Sequence, residues 1–124
     1  MKKIINSELA PKAIGPYSQA VELNDLIFVS GQLPINPDTN EMAEDIESQT
    51  RQSLNNIKHI LMEAGSDMGK IVKTTVLLQN INDFGKMNEV YATFFEKDYP
   101  ARACYEVAAL PKNALVEIEC IAGK

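Results

Sequence analysis

Tryptophan is absent from this chain, histidine occurs once (His59), and cysteine occurs twice, as Cys104 and Cys120. No CxxC or HxxxH spacing can be drawn from so few ligands, so no metal site is recognisable. Both cysteines fall in apolar, strand-like runs and read as reduced, buried thiols rather than a disulfide. A basic block is also missing. The 12 Lys and Arg residues are scattered from Lys2 to Lys124, and the formal net charge is −5, so the footprint needed to follow a nucleic-acid backbone is lacking. No apolar run approaches a membrane span. Met1-Lys2-Lys3-Ile4-Ile5-Asn6-Ser7 carries two lysines without the apolar stretch of a signal peptide, so a cytosolic protein with no membrane partner is expected. Low-complexity tracts and internal repeats are absent too, which excludes solenoids and argues against disorder.

What is there suits a globular fold. At 124 residues, 45% hydrophobic and 23% charged, residues 1–124 are expected to form a single domain with a real core. Such a chain is too small to enclose a deep cavity easily, and a cleft shared between subunits would solve that.

Tyr17 to Glu22 and Leu26 to Ser30 are β-rich runs around the turn-prone Leu23-Asn24-Asp25, which predicts a hairpin. Gln32 to Asn40, with Pro34, Pro37 and Asp38-Thr39-Asn40, reads as a solvent-facing loop. From about Asp45 to Ala64, Ile46, Leu54, Ile57, Leu61 and Ala64 recur at helical spacing, with Gly65 as a stop. His59 lies roughly 200° around that helix from Ile57 and Leu61, so it is expected to be solvated. Ile71 to Leu78 is a β-branched run suited to a central strand. A second helix is expected from Asn82 as N-cap, with Phe84, Met87, Tyr91 and Phe94 as its core stripe. Pro100 breaks it, and strands are expected at Ala101 to Val107 and Leu115 to Ala122 about the Leu110-Pro111-Lys112-Asn113 turn. The order ββαβαββ implies an α+β sandwich, a mixed sheet with two helices on one face. Its other face needs a cover, and a partner subunit is the simplest one.

Arg102 stands inside Tyr99-Pro100-Ala101-Arg102-Ala103-Cys104-Tyr105-Glu106-Val107, a strand-like segment with no evident need for a guanidinium. A planar, permanently charged fork matches a carboxylate, so Arg102 reads as an anion hook. A standing pair with Glu106, Glu117 or Glu119 is the plain alternative. Strand alternation puts Arg102, Cys104 and Glu106 on one face, and sends Glu117 and Glu119 out together opposite the apolar Val116, Ile118, Cys120 and Ala122. The two carboxylates are either solvent-facing residues or a base beside Arg102. Gly15-Pro16 fixes a bend that aims Tyr17, whose other reading is core packing with a satisfied hydroxyl. In Val29-Ser30-Gly31-Gln32, a strand-end glycine permits close approach to a ligand, or simply makes a turn.

In this order the chain carries Ile14-Gly15-Pro16-Tyr17-Ser18-Gln19-Ala20, Val29-Ser30-Gly31-Gln32-Leu33-Pro34, Arg51 to Ile57, Val72 to Val76, Phe84 to Phe95, Pro100 to Val107, Leu110-Pro111-Lys112 and Val116-Glu117-Ile118-Glu119. These collinear blocks resemble the RidA/YjgF family of reactive intermediate deaminases. The resemblance implies a chorismate-mutase-like α+β fold, assembled as a homotrimer with clefts at the subunit interfaces. It also implies hydrolysis of 2-imino acids and their enamine tautomers, such as 2-iminobutanoate and 2-iminopropanoate, to 2-oxo acids and ammonia, without cofactor or metal. At the matching positions Arg102 would bind the substrate carboxylate, Glu117 would orient or activate water, and Tyr17 and Cys104 would line the reacting end. Ser30, Gly31 and Asn88 would complete the cleft. The chain departs from the commonest family wording at Ala103, Tyr105 and Ala109, where serine, valine and arginine are frequent. Alternation places the first two away from the Arg102 face, while Ala109 could alter the cleft rim.

Two other functions compete. A trimer could bind 2-oxo acids through Arg102 as a sensor without turnover, and the resemblance also brings an endoribonuclease or translation-inhibitor activity, which the acidic balance disfavours.

Overall fold

The computed structural model describes residues 1–124. Six strands form one sheet: β1 (Lys3–Ile5), β2 (Ala20–Leu23), β3 (Leu26–Gln32), β4 (Ile71–Leu78), β5 (Ala101–Glu106) and β6 (Val116–Gly123). Their spatial order is β1-β2-β3-β6-β4-β5. Only β4 and β5 pair in parallel, and every other neighbour pair is antiparallel. Two helices, α1 (Ile46–Glu63) and α2 (Phe84–Ala92), make the crossovers β3-α1-β4 and β4-α2-β5. Both crossovers join parallel strands and step toward the same sheet edge. With one hand for such connections, both helices land on one face. The last strand, β6, then inserts antiparallel between β3 and β4.

Local chemistry sets the bounds of α1. Asp45 caps its start, its carboxylate accepting from Ser48 N at 2.9 Å. At its end Gly65 takes φ +79°, while Gly65 N donates to Met62 O (3.0 Å) and Ser66 N to Leu61 O (2.8 Å). This double bond over a left-handed residue is a Schellman closure, which favours glycine. From α1, Leu54, Ile57, Ile60 and Leu61 are wholly buried, and Ile27, Val76, Leu78, Val116 and Ile118 meet them from the sheet.

The expected hairpin, long helix and central strand are present, β4 with the expected bounds. Other expectations need correction. Tyr17 to Gln19 precede β2 rather than belonging to it, and β1 was not expected; it is only three residues long and depends on β2 for its bonds. The loop after β3 is solvent-facing only from Asp38 to Asn40. Gln32, Pro34 and Ile35 are buried, because Asn56 Nδ2 on α1 donates to Leu33 O (3.2 Å) and Ile35 O (3.0 Å) and draws the loop inward. A 3-10 turn, Ile81–Asp83, precedes α2. Its cap is Asn80, whose side chain accepts from Asn82 N, so Asn82 is not the N-cap. Helix α2 ends at Ala92, well before Pro100. Of the α2 stripe, Met87 and Tyr91 are buried and Phe94 is partly buried beyond the helix end, but Phe84 is exposed and lies outside the core. His59 is half-covered rather than solvated, with a buried Nδ1 that has no partner.

The face opposite the helices carries Leu26, Phe28, Leu77, Tyr105, Glu117, Glu119 and Ile121, and no element of the chain lies over it. No helix is long and apolar enough to cross a membrane.

Candidate active site

The residues singled out by the sequence fall into two groups on different parts of the sheet. The first is built by β5 and α2. Arg102 pairs in register with Thr74, and Cys104 with Val76. Both partners are fully buried, so Arg102 and Cys104 lie on the helix-covered face. Arg102 Nη1 donates to Asn88 Oδ1 at 2.7 Å, and its guanidinium carbon lies 4.8 Å from the Tyr91 ring centroid and 5.3 Å from that of Phe84. Phe84, Asn88 and Tyr91 stand at i, i+4 and i+7, one strip of α2. The single ion pair of the chain joins Lys124 to Glu22, and Glu106 Oε1 accepts from Ile81 N at 2.9 Å. Arg102 therefore has no carboxylate partner within the chain, and the standing-pair alternative is not what the fold adopts. Cys104 is half-buried rather than buried. Burial pushes its thiol pKa up, against a smaller opposing pull from Arg102. At neutral pH it is a protonated thiol.

The second group is built by β3 and β6. Glu117 pairs with Leu77 on the open face, and beside it the β3–β6 register shifts between Val29 and Gln32. Gly31 lies within that irregularity. A Cβ on Gly31 would stand 3.2 Å from Glu117 Cγ and 2.9 Å from its Cδ, and closer still to Oε2. Glycine is there because the Glu117 side chain occupies the space that a methyl group would take. Burial raises the Glu117 pKa, and the neighbouring Glu119 raises it further. Ser30 Oγ donates to Ser18 O at 2.6 Å, and Ser30 N to Gln19 O at 2.9 Å. These bonds fasten the stretch carrying Tyr17 to β3. Gly15, at φ +131°, turns the chain so that Tyr17 N donates to Gly15 O at 2.9 Å. Tyr17 is 53% exposed, which rules out core packing.

Arg102 and Glu117 therefore project from opposite faces of one sheet, and the expectation of Glu117 beside Arg102 is not met within a single chain. Alternation fixed each strand's two faces, but not which face of β5 matches which face of β6. That depends on the registers through β4. A concavity of about 910 Å³ lies between Arg51, Lys58, Met62, Phe94 and Lys97 and includes no residue of either group. No three His, Cys, Asp or Glu side chains converge as metal ligands would.

Three contributors are not distinguished by the sequence alone. Phe84 and Tyr91 form the aromatic bed of Arg102, although they read as core. The signal for them was a polar Asn88 between two aromatics on one helix strip. Gln19 is the third: Oε1 accepts from Ser7 N (2.7 Å), and Nε2 donates to Ser7 O (3.1 Å) and Pro11 O (2.9 Å). This buried clamp pins the approach to Tyr17, and nothing in its local sequence distinguishes it.

Fold and geometry together define a small α+β protein whose two candidate half-sites are kept apart by its own sheet. Residues 7–124 match the family described as Endoribonuclease L-PSP. The 2-iminobutanoate/2-iminopropanoate deaminase of Escherichia coli K12 is 50% identical over 125 residues, 98% of each chain. A crystal structure of the Rid-family protein YyfA from Yersinia pestis superposes with a TM-score of 0.98 at 53% identity over all of both chains. That of E. coli TdcF with bound serine gives 0.96 at 47% identity over 98% of each. The chain belongs to this family, that of the RidA/YjgF proteins.

Proposed function

We propose that residues 1–124 act as one unit of a homotrimer that hydrolyses 2-imino acids and their enamine tautomers to 2-oxo acids and ammonia, without a cofactor. The observation that carries this reading is the Arg102 guanidinium, partly buried and held only by an amide and two aromatic rings. Such a group is suited to grip the carboxylate of a small organic acid through a forked pair of bonds. The relative named as a 2-iminobutanoate/2-iminopropanoate deaminase, and the TdcF structure with bound serine, support ligands of that size.

In this reading the uncovered sheet face packs against neighbouring protomers, and each cleft takes Arg102, Asn88 and Cys104 from one protomer and Tyr17, Ser30, Gly31 and Glu117 from the next. Arg102 fixes the carboxylate, so the imine carbon is presented rather than encountered by chance. Glu117, whose burial raises its affinity for a proton, takes one from water as the oxygen adds to the imine carbon. The carbinolamine then collapses. With the imine bound in its protonated form, Glu117 first returns its proton to the nitrogen; as the carbonyl forms and ammonia departs, the freed Glu117 carboxylate takes the hydroxyl proton and passes it on to the ammonia, which leaves as ammonium. Cys104 forms a wall, since its protonated thiol has no base to activate it. Tyr17 lines the reacting end.

The test adds the protein to threonine dehydratase and threonine. Faster release of ammonia and 2-oxobutanoate is expected, and Arg102→Ala is expected to abolish the gain. Equal rates with and without the wild-type protein would overturn the enzymatic reading. In that case retained 2-oxobutanoate binding would indicate a sensor, and cleavage of RNA by a nuclease-free preparation would indicate a ribonuclease.

A further inference from the structure

Tyr91 is 4% exposed and Thr74 0% exposed, and their hydroxyls share a hydrogen bond of 2.7 Å. Packing alone does not account for this pair. Phenylalanine at 91 and valine at 74 would fill nearly the same volume with no buried hydroxyl to satisfy. The pair does, however, sit under a charge. Thr74 is the register partner of Arg102 across β4 and β5, and the face of the Tyr91 ring lies 4.8 Å from the guanidinium carbon. Thr74, Tyr91 and Arg102 form a triangle joining β4, α2 and β5. Burial keeps the phenol protonated, so the ring presents a neutral face to the cation. Asn88 Oδ1 also holds the guanidinium, accepting from Arg102 Nη1.

We propose that Thr74 and Tyr91 are positioning residues: their hydrogen bond sets the tilt of the Tyr91 ring, and the ring face sets the plane in which Arg102 presents its fork to a carboxylate. The inference rests on the reading of Arg102 as a carboxylate anchor. A forked contact is sensitive to the plane of the donor, so freeing the ring weakens the grip without removing the charge.

The experiment measures dissociation constants for 2-oxobutanoate and its neutral amide, 2-oxobutanamide, in wild type, Thr74→Val, Thr74→Ser, Tyr91→Phe, the Thr74→Val/Tyr91→Phe double variant and Arg102→Ala. Losing one hydrogen bond predicts about three- to tenfold weaker 2-oxobutanoate binding in Thr74→Val and in Tyr91→Phe. The double variant should be no worse than either single one, since both remove the same bond. Thr74→Ser, which keeps the hydroxyl, should bind as wild type, and amide binding should not change. With imine substrate, KM should rise more than kcat falls. Wild-type affinity in both single variants, with binding lost in Arg102→Ala, overturns the positioning role while leaving the anchor intact. Undiminished binding in Arg102→Ala overturns the anchor itself. Equal weakening of acid and amide, with a lowered denaturation midpoint, shows a merely structural pair and also overturns the proposal. Should Tyr91→Phe fail to fold, Thr74→Val against Thr74→Ser decides alone.

Discussion

Arg102 is held by groups that bear no formal charge, and Glu117 sits where burial and Glu119 both disfavour its ionised form. Each is an expensive state for an isolated chain, of the kind found where a ligand or reaction supplies the compensation. For Glu117 the stability consequence has a definite sign. Its folded pKa lies above its ordinary value of 4.5, so the folded protein holds that proton more tightly than the unfolded chain. The penalty of burying the carboxylate is absent below the unfolded value and complete above the folded one, so stability falls as pH rises through that window. Glu117→Gln is therefore expected to unfold at higher denaturant than wild type at pH 7, with the advantage vanishing below pH 4.5, when both are compared at one protein concentration. Turnover should fall about 10²-fold or more with the base removed. An unchanged pH dependence of the midpoint in Glu117→Gln would place the titration elsewhere. At this scale the sequence made Arg102 conspicuous, because alternation along a strand needs no tertiary knowledge. Its bed of Phe84 and Tyr91 stayed hidden, since an aromatic that packs and an aromatic that supports a cation look alike in a helical stripe.

Elements that carry their own signals were legible. Helix α1 has a capping aspartate, an apolar face and a closing glycine, and β4 is β-branched along its length. Segments that depend on distant partners were not. Strand β1 has three residues, and the loop after β3 is composed like a surface turn yet is drawn inward by Asn56, more than twenty residues away. That amide also accepts from Gln52 Nε2 at 2.9 Å, so its oxygen and its nitrogen are both engaged. Asn56→Ala is expected to cost about 1–3 kcal/mol by stranding two backbone carbonyls, read as a lowered midpoint in urea. Hydrogen exchange should quicken first around residues 32–36. A midpoint within error of wild type would show that water replaces the amide at no cost.

For the molecule as a whole, the order of elements already implied a sheet with one covered face, and the fold has one. What order cannot reveal is that this same sheet stands between Arg102 and Glu117, which follows from the pairing of β5 with β4 and of β4 with β6. Mixing inactive variants tests the proposed sharing of clefts between protomers. In a ring of three, Arg102→Ala and Glu117→Ala protomers co-assembled at equal levels leave one intact cleft in each mixed trimer. About one quarter of wild-type activity should then return, because about three quarters of the trimers are mixed. No recovery above the two separate variants, with mixed trimers verified by native mass spectrometry, would show that these two side chains do not meet across a protomer boundary.

The insertion of β6 between β3 and β4 has a consequence for how the chain is made. On the ribosome, β3 and β4 emerge before the strand that belongs between them, so neither has its native neighbour on that edge. Their inward edges lack that partner until β6 is made, a window in which nascent sheets are prone to mispairing. Glu117 rides on the strand that ends this wait, so the carboxylate proposed for the chemistry arrives with the segment that completes the sheet.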